Sequence, residues 1–175
     1  MGYILSDYYS LKPEGTNKWE LIKGVFKMSP APLDKHQRVN LNLGTEINIH
    51  FKRKKCEVRV APYDVVLGNN VVQPDVCVIC DKNKITRRGC NGIPDLIIEI
   101  LSHPNEKLDR MEKFNLYEEY GLKEYWIVQP DDEWIEKWIM DGNKFKLVET
   151  INTTDDTEIK SEIFPDLVIK LEEIF

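Results

Sequence analysis

The chain has 175 residues, 42% of them hydrophobic and 31% charged, which suits one globular domain over residues 1–175 and excludes disordered or collagen-like chains. Its 30 Asp and Glu outnumber its 24 Lys and Arg, and the net charge of −6 argues against a protein that coats nucleic acid through bulk charge. No apolar stretch approaches the roughly 18 residues of a membrane span, so we expect no membrane partner.

Hydrophobic periodicity and turn residues predict a mixed order of helices and strands. We expect helices at about 3–11, 34–54 and 105–120, the second capped by Asp34 and the third ended by Gly121. We expect strands at 18–28 with a turn near Gly24, 56–67, 71–80, 95–101, 123–129, 133–140 and 144–151, then one strand and a short helix. Asp141-Gly142-Asn143 is a hairpin signal. The order favours an α/β (α+β) fold with one mixed central sheet, flanked by two main helices and completed by strands within 144–175.

The four cysteines are Cys56, Cys77, Cys80 and Cys90. Cys77 and Cys80 form a C-x-x-C pair, which raises the alternative of a zinc or redox protein. However, residues three apart in a strand point to opposite faces, and no second pair completes a tetrahedral site. We therefore expect buried thiols and no zinc. Because the N-terminus lacks a secretory signal, we also expect a cytoplasmic location.

Two carboxylates interrupt apolar strands. Asp75 lies within VVQPDVCVIC and Glu99 within PDLIIEIL, where an ionised carboxylate is costly unless a positive group compensates it. If the two strands are neighbours, Asp75 and Glu99 can converge on one point, and two hard oxygen ligands suit Mg²⁺ or Mn²⁺. The alternative is that each carboxylate pairs with a Lys or Arg, or lies at a strand end in water.

Pro74-Asp75, followed about two dozen residues later by Glu99-Ile100-Leu101, resembles the PD-(D/E)XK nuclease superfamily. A longer ordered series over about residues 3–140 resembles the Uma-two family, whose members are named as restriction-type endonucleases. That series is Glu20-Leu21-Ile22-x-Gly24, Ser29-Pro30, His36, Ala61-Pro62-x-Asp64-Val65, Gln73-Pro74-Asp75-Val76, Gly92-x-Pro94-Asp95-Leu96-x-x-Glu99-Ile100-Leu101-Ser102, Lys113-x-x-x-Tyr117, Gly121 and Glu124-Tyr125-Trp126.

The resemblance implies a restriction-endonuclease-like fold and Mg²⁺-dependent (or Mn²⁺-dependent) hydrolysis of DNA phosphodiester bonds. It implies that Asp75, Glu99 and the backbone carbonyl of Ile100 bind the metal. Where the superfamily pattern has lysine, this chain has Leu101. The substitute that we expect is Lys113, which would stabilise the phosphorane charge. The alternative is that Lys113 pairs with Asp109 on a solvated helix face.

Glu20 and His36 are weaker catalytic candidates. The resemblance makes Glu20 an outer metal ligand or water positioner, although an acid on the wet face of a strand is ordinary. His36 faces inward and either is a satisfied core residue, binds the scissile phosphate or holds Glu20. Gln73 shares strand parity with Asp75, and Asp95, which begins the strand of Glu99, is a fallback ligand.

Two basic clusters are candidate nucleic-acid contacts. Lys82, Lys84, Arg87 and Arg88 fill the loop between the acid-bearing strands, which we expect within reach of the metal site as a phosphate clamp. Residues 52–55 (KRKK) close the second helix, where cations are favoured in any case. Trp134 and Trp138 favour core or dimer packing. Restriction-type enzymes often pair to cut both strands, so the resemblance also raises a homodimer as an expected partner, although no sequence feature locates its face.

We therefore expect a Mg²⁺-dependent DNA endonuclease with weak, salt-sensitive affinity for DNA. The alternative is a catalytically lapsed nuclease fold that binds nucleic acid or serves a mobile element, because the expected lysine is missing and the chain is acidic.

Overall fold

The computed structural model describes residues 2–12, 18–29, 31–102 and 107–175. The α-helices are α1 (Leu5–Leu11), α2 (Asp34–Phe51) and α3 (Lys107–Glu119), and short 3-10 helices lie at Lys82–Lys84 and Leu171–Glu173. The strands are β1 (Lys18–Ile22), β2 (Val25–Ser29), β3 (Glu57–Val60), β4 (Val65–Leu67), β5 (Asn70–Val72), β6 (Val76–Ile79), β7 (Ile85–Thr86), β8 (Gly89–Asn91), β9 (Leu96–Ile100), β10 (Glu124–Gln129), β11 (Trp134–Asp141), β12 (Lys144–Asn152), β13 (Glu158–Lys160) and β14 (Val168–Lys170).

The strands form two six-stranded sheets and one hairpin. The first sheet has the order β2-β1-β5-β4-β8-β7 and the second the order β12-β11-β10-β9-β6-β3, while β13 pairs with β14. Both large sheets are mixed, because β4–β8 and β9–β10 are parallel and the other pairs are antiparallel. The predicted mixed α+β class is confirmed, but the structure has two large sheets where we predicted one.

Two predicted strands are wrong in extent, because prolines interrupt them. The segment 56–67 divides into β3 and β4 around Ala61-Pro62, and 71–80 divides into β5 and β6 around Pro74. Proline has no N–H to donate to a ladder, so the chain leaves one sheet at these positions and enters the other. As a result β6 lies beside β9 in the second sheet, while β4 and β5 belong to the first.

The second sheet has a hydrophobic core on each face. On one face, Val39, Leu43 and Ile47 of α2 recur every fourth residue and pack with the alternate residues of β6 and β9 and with the C-terminal segment. On the other face, Leu116 and Tyr117 of α3 pack with the remaining residues of those strands and with strands of the first sheet. Both faces of β6 and β9 are therefore covered, as their apolar runs predict.

Several element ends follow from local chemistry. The hairpin at residues 141–143 and the strand pair that turns at Gly24 are confirmed. Gly121 ends α3 with φ +72°, and the Leu122 N–H donates to the Tyr117 carbonyl at 3.0 Å. Asp34 is the first residue of α2 rather than its cap, which is Leu33. The tail contains two strands where we predicted one, and the predicted start of α3 at 105 lies outside the described residues.

The cysteine prediction is wrong for Cys80, which forms a disulfide bond with Cys56. β3 and β6 pair with Glu57 opposite Ile79, so the next step of the register brings Cys56 opposite Cys80. Cys77 and Cys90 are free and buried, and burial raises the pKa of the Cys90 thiol to about 11. None of the helices in the described residues has the length and apolar character that crossing a membrane requires.

Candidate active site

The strands that carry Asp75 and Glu99 are antiparallel neighbours. Val76 pairs with Ile98 and Cys77 with Ile97, so the same register brings Asp75, just before β6, opposite Glu99. Residues opposite each other in antiparallel strands project from the same face. Both carboxylates line one cavity of about 390 Å³ at this end of the second sheet. The polar lining of the cavity comprises Lys18, Ser29, His36, Asn40, Asp75, Glu99, Ser102, Arg110, Lys113 and Tyr125.

Asp75 is surrounded by donors. Its Oδ2 accepts the Ile100 N–H at 2.8 Å and lies 3.3 Å from His36 Nε2, and its Oδ1 accepts Lys18 Nζ at 3.2 Å. Burial by itself raises the pKa of Asp75, but Lys18, His36 and the Ile100 N–H outweigh burial and hold this pKa well below its ordinary value. Asp75 is therefore ionised at neutral pH.

Glu99 has a different environment. The Tyr117 hydroxyl donates to its Oε1 at 2.7 Å, and Lys113 Nζ lies 3.2 Å from Oε1 and 3.3 Å from Oε2. Burial, aided by the Asp75 and Glu20 carboxylates, outweighs the attraction of Lys113 and raises the pKa of Glu99. Two carboxylates with opposite pKa shifts at one cavity are typical of functional sites.

Lys113 lies between two carboxylates and not on a solvated helix face. Its Nζ is 2.9 Å from Glu20 Oε1 as well as within reach of Glu99, and the residue is 5% exposed. Burial by itself lowers the pKa of Lys113, but Glu20 and Glu99 raise it well above its ordinary value. The side chain of Asp109, the alternative partner, lies outside the described part of the chain. α3 thus places a buried ammonium between Glu20 and Glu99.

Glu20 supports this arrangement from β1, in the first sheet. Its Oε1 also accepts the Gln73 N–H at 2.7 Å, while its Oε2 is buried and has no hydrogen-bond partner among the described residues. His36, from the first turns of α2, faces Asp75 rather than Glu20, and its Nδ1 is likewise buried without a partner there. The structure therefore brings Asp75, Glu99, Lys113, Glu20 and His36 together, and with Lys18 these residues form one cluster.

The oxygen donors of this cluster fit a Mg²⁺-type cation. Within the described ranges, no three His, Cys, Asp or Glu side chains form a ready-made metal site. Mg²⁺, however, keeps several waters and is usually bound through one or two carboxylates plus substrate phosphates. Asp75 and Glu99 supply those two carboxylates, and the buried, unpartnered Glu20 Oε2 is a third oxygen nearby. Asp75 and Glu99 could therefore hold such a cation together with the adjacent Ile100 carbonyl.

The side chains of Gln73 and of Asp95, the fallback ligand, lie elsewhere. Asp95 immediately precedes β9 at the end remote from Glu99, where its Oδ2 accepts the Cys80 N–H at 2.8 Å and its Oδ1 accepts Lys123 Nζ at 2.6 Å. The Gln73 side chain donates to Asp64 at 2.6 Å, and only its backbone N–H meets the cluster. Neither side chain lines the cavity.

The expectation that the basic segment between the acid-bearing strands reaches the site is wrong. The chain leaves β6 at the end remote from Asp75, so Lys82 pairs with Glu57, Lys84 donates to the Ile93 carbonyl and Arg88 lies over the Tyr9 ring. Arg87 follows β7 in the same segment. None of the four cations lines the cavity, so their contact with DNA stays a prediction.

The remaining sequence features, which are the basic end of α2 and the two tryptophans, make contacts within the fold. At the end of α2, Lys54 pairs with Asp166 at 2.7 Å. Trp138 packs edge-on against Phe114 at 4.9 Å between ring centroids, and Arg110 lies over the Trp134 ring at 6.0 Å. These contacts agree with packing of the tryptophans inside one chain.

Sequence reasoning assigned no role to Lys18, Arg110 or Tyr117. Lys18 precedes Glu20 by two residues on β1, which puts both on the same strand face, and Tyr117 follows Lys113 by four on α3. These two spacings are the features of the sequence from which Lys18 and Tyr117 could have been identified. Arg110, one turn before Lys113, lines the cavity and pairs with Glu136.

Comparison with known proteins gives three kinds of match. The family model Uma2, described as "Putative restriction endonuclease", matches residues 5–172. "Uncharacterized protein slr1290" of Synechocystis sp. is 25% identical over 158 residues, which is 89% of this chain and 83% of that protein. "Uncharacterized protein sll1609" of the same organism is 25% identical over 128 residues, covering 70% and 72%. The crystal structure of "a putative nuclease belonging to DUF820" from Anabaena variabilis superposes with a TM-score of 0.82 at 19% identity, covering 99% of this chain and 97% of that one, which shows a shared fold.

Proposed function

The chain belongs to the Uma2 family, described as putative restriction endonucleases, and from this membership we propose that it is a Mg²⁺-dependent (or Mn²⁺-dependent) endonuclease that hydrolyses DNA phosphodiester bonds. The observation that carries the proposal is the convergence of Asp75, Glu99 and Lys113 on one cavity. Three separate elements supply two hard-oxygen ligands and a buried ammonium, which is the combination that metal-assisted phosphodiester hydrolysis needs.

Asp75, Glu99 and the Ile100 carbonyl would hold the cation. When bound, a divalent cation supplies Lewis-acid stabilisation of the phosphoryl group. Water attacks phosphorus and gives up a proton as the new P–O bond forms. The ester P–O bond breaks, and the leaving alkoxide takes up a proton, so that the products are an alcohol and a phosphate monoester. His36 Nε2 and the Ile100 N–H hold the Asp75 carboxylate in place for this chemistry.

Lys113 would stabilise the negative charge that develops on the phosphoryl oxygens. Its ammonium is fixed between Glu20 and Glu99 and lines the cavity, so little reorganisation is needed when charge develops. Glu20 acts through Lys113 and is a positioning residue. Its contact with the Gln73 backbone holds it at the start of the segment that leads to Asp75.

The test is nicking of supercoiled plasmid DNA with Mg²⁺ or Mn²⁺. We expect wild type to nick, and Asp75→Asn and Glu99→Gln to lose about a hundredfold or more of the rate, because each loses an anionic ligand. Asp95→Asn is the matched control, since Asp95 is also buried and immediately precedes the strand of Glu99 but lies outside the cavity. Equal nicking by Asp75→Asn would exclude the mechanism.

One observation supports the alternative of a catalytically lapsed nuclease, so the nicking experiment must also distinguish this alternative. Lys18 and Lys113 already neutralise Asp75 and Glu99, so the carboxylates have partners without a metal. Salt-sensitive binding of DNA by wild type without any metal-dependent nicking would favour this binding function over cleavage.

A further inference from the structure

The two lysines of the cluster are held differently. Lys113 contacts two carboxylates, with its side chain 7% exposed, whereas the Lys18 side chain is 21% exposed and its Nζ contacts the single Asp75 Oδ1. Lys18 lines the cavity and belongs to the first strand of the other sheet. The Lys18 side chain is more exposed than that of Lys113 and contacts one carboxylate rather than two, so less holds it in place. Lys18 is therefore the cation of the cluster that can leave.

Lys18 contacts Asp75 Oδ1, the oxygen of that carboxylate that has room for a metal. Asp75 Oδ2 already receives the Ile100 N–H and the His36 ring nitrogen, whereas Oδ1 has Lys18 as its contact among the described residues. A divalent cation bound at Oδ1 would lie within a few ångströms of the Lys18 ammonium. Like charges at that distance in a partly buried site repel strongly. Cation and ammonium are therefore competitors for Asp75.

We infer that Lys18 is a resident counter-ion of Asp75 that a divalent cation displaces on binding, so that Lys18 sets the cation affinity of the site. This inference rests on the proposed function, because it takes Asp75 as a metal ligand. In the metal-free protein Lys18 compensates the buried Asp75 carboxylate. On cation loading it moves away, while Lys113 keeps its place between Glu20 and Glu99.

The test is calorimetric titration of Mn²⁺ into the metal-free full chain. We expect Lys18→Met and Lys18→Gln to bind Mn²⁺ about tenfold or more tightly than wild type, because a competing charge is gone. Lys18→Arg keeps the charge and should stay within about twofold of wild type. The matched control is Lys12→Met. Lys12 pairs with Asp64 at 3.6 Å, is 31% exposed and does not line the cavity, so its removal should leave Mn²⁺ affinity unchanged.

Thermal unfolding gives a second readout that does not depend on activity. Without metal, Lys18→Met and Lys18→Gln should melt at a lower temperature than wild type, because Asp75 loses a partner. Mn²⁺ should raise the melting temperature of these variants by more than it raises that of wild type.

The outcomes separate this inference from the proposed function. Unchanged or weaker Mn²⁺ affinity in Lys18→Met and Lys18→Gln, with wild type still nicking DNA, would overturn the role of Lys18 and leave the nuclease proposal standing. An equal increase in the Mn²⁺ affinity of Lys12→Met would also overturn it, since the effect would then come from the net charge of the protein. Absence of Mn²⁺ binding in every variant, together with absence of nicking by wild type, would overturn both.

Discussion

Asp75 and Glu99 share one cavity but have opposite pKa shifts. Lys18, His36 and the Ile100 N–H outweigh burial at Asp75 and lower its pKa, whereas burial outweighs Lys113 at Glu99 and raises its pKa. A lowered carboxyl pKa stabilises the folded state above the ordinary pKa, and a raised one costs stability once the group is forced to ionise. The two carboxylates therefore make stability contributions of opposite sign at neutral pH.

This difference predicts opposite effects of two charge-neutralising variants on the unfolding free energy of the metal-free protein. Glu99→Gln cannot ionise and should be more stable than wild type at neutral pH. The difference in unfolding free energy between Glu99→Gln and wild type should vanish near pH 4. Below its ordinary pKa of 4.5, Glu99 is protonated in both the folded and the unfolded chain and costs no stability. The cost appears as pH rises above 4.5 and through the raised value. Asp75→Asn should be less stable than wild type. Its deficit should persist near pH 4 and shrink only below the ordinary Asp pKa of 3.8.

Urea unfolding with a chelator present, at neutral pH and near pH 4, measures both effects. Asp95→Asn again serves as the control for loss of a buried carboxylate outside the cavity. If Glu99→Gln were less stable than wild type at neutral pH, then Lys113 and Tyr117 would outweigh burial and the sign assigned to Glu99 would be wrong.

At the residue scale, the motif series predicted most residues of the cluster but not the contacts that these residues make with one another. Asp75 and Glu99 could be found because a carboxylate inside an apolar strand is anomalous in any fold. Lys18 could not be found in this way, because its contact with Asp75 depends on how closely the first sheet approaches the second. Sequence parity puts Lys18 beside Glu20 on one face, but it does not show which strand that face meets.

At the element scale, the helices and the hairpin at residues 141–143 followed from local patterns, whereas the pairing of β6 with β9 was a condition that only the structure could establish. The division of 56–67 and 71–80 did not, because runs of Val and Ile are equally typical of one long strand and of two short strands in different sheets. The prolines at 62 and 74 mark those divisions, but only tertiary pairing shows which sheet each half joins.

The Cys56–Cys80 disulfide bond joins β3, at the edge of the second sheet, to β6. It closes a loop with a sequence separation of 24 residues, and reduction should lower the unfolding free energy by about 3 kcal/mol. Such bonds persist in oxidising compartments and are rare in the cytosol, and the cytoplasmic location stays a prediction.

Urea unfolding with and without reductant checks this prediction. Cys56→Ser should match the reduced wild type and should not respond to reductant. Thiol titration of the denatured, unreduced wild type should find two thiols, Cys77 and Cys90. A count of four would show that the bond does not form.

At the scale of the whole molecule, the net charge of −6 does not describe the charge at the cavity. The cluster itself combines Glu20, Asp75 and Glu99 with Lys18 and Lys113, so its own charge is close to balance without a cation. The remaining acidic excess lies elsewhere on the molecule. It still disfavours tight non-specific binding of DNA, but it does not oppose metal binding at two carboxylates.

The cluster exists only in the assembled fold. β1 of the first sheet, the ends of β6 and β9 in the second, and helices α2 and α3 each contribute to it. β9 and α3 follow each other closely in sequence, whereas β1, α2 and β6 lie in separate earlier parts of the chain. For this reason the sequence could suggest the residues, whereas their distances, partners and pKa shifts required the structure.

The most direct test of the central claim is the anomalous diffraction of Mn²⁺ soaked into crystals of the wild-type protein. We predict one anomalous peak between the carboxylates of Asp75 and Glu99, and no peak there in crystals of Asp75→Asn. A protein that nicks DNA with Mn²⁺ but shows its anomalous peak away from both carboxylates would contradict the assignment of this cavity as the active site.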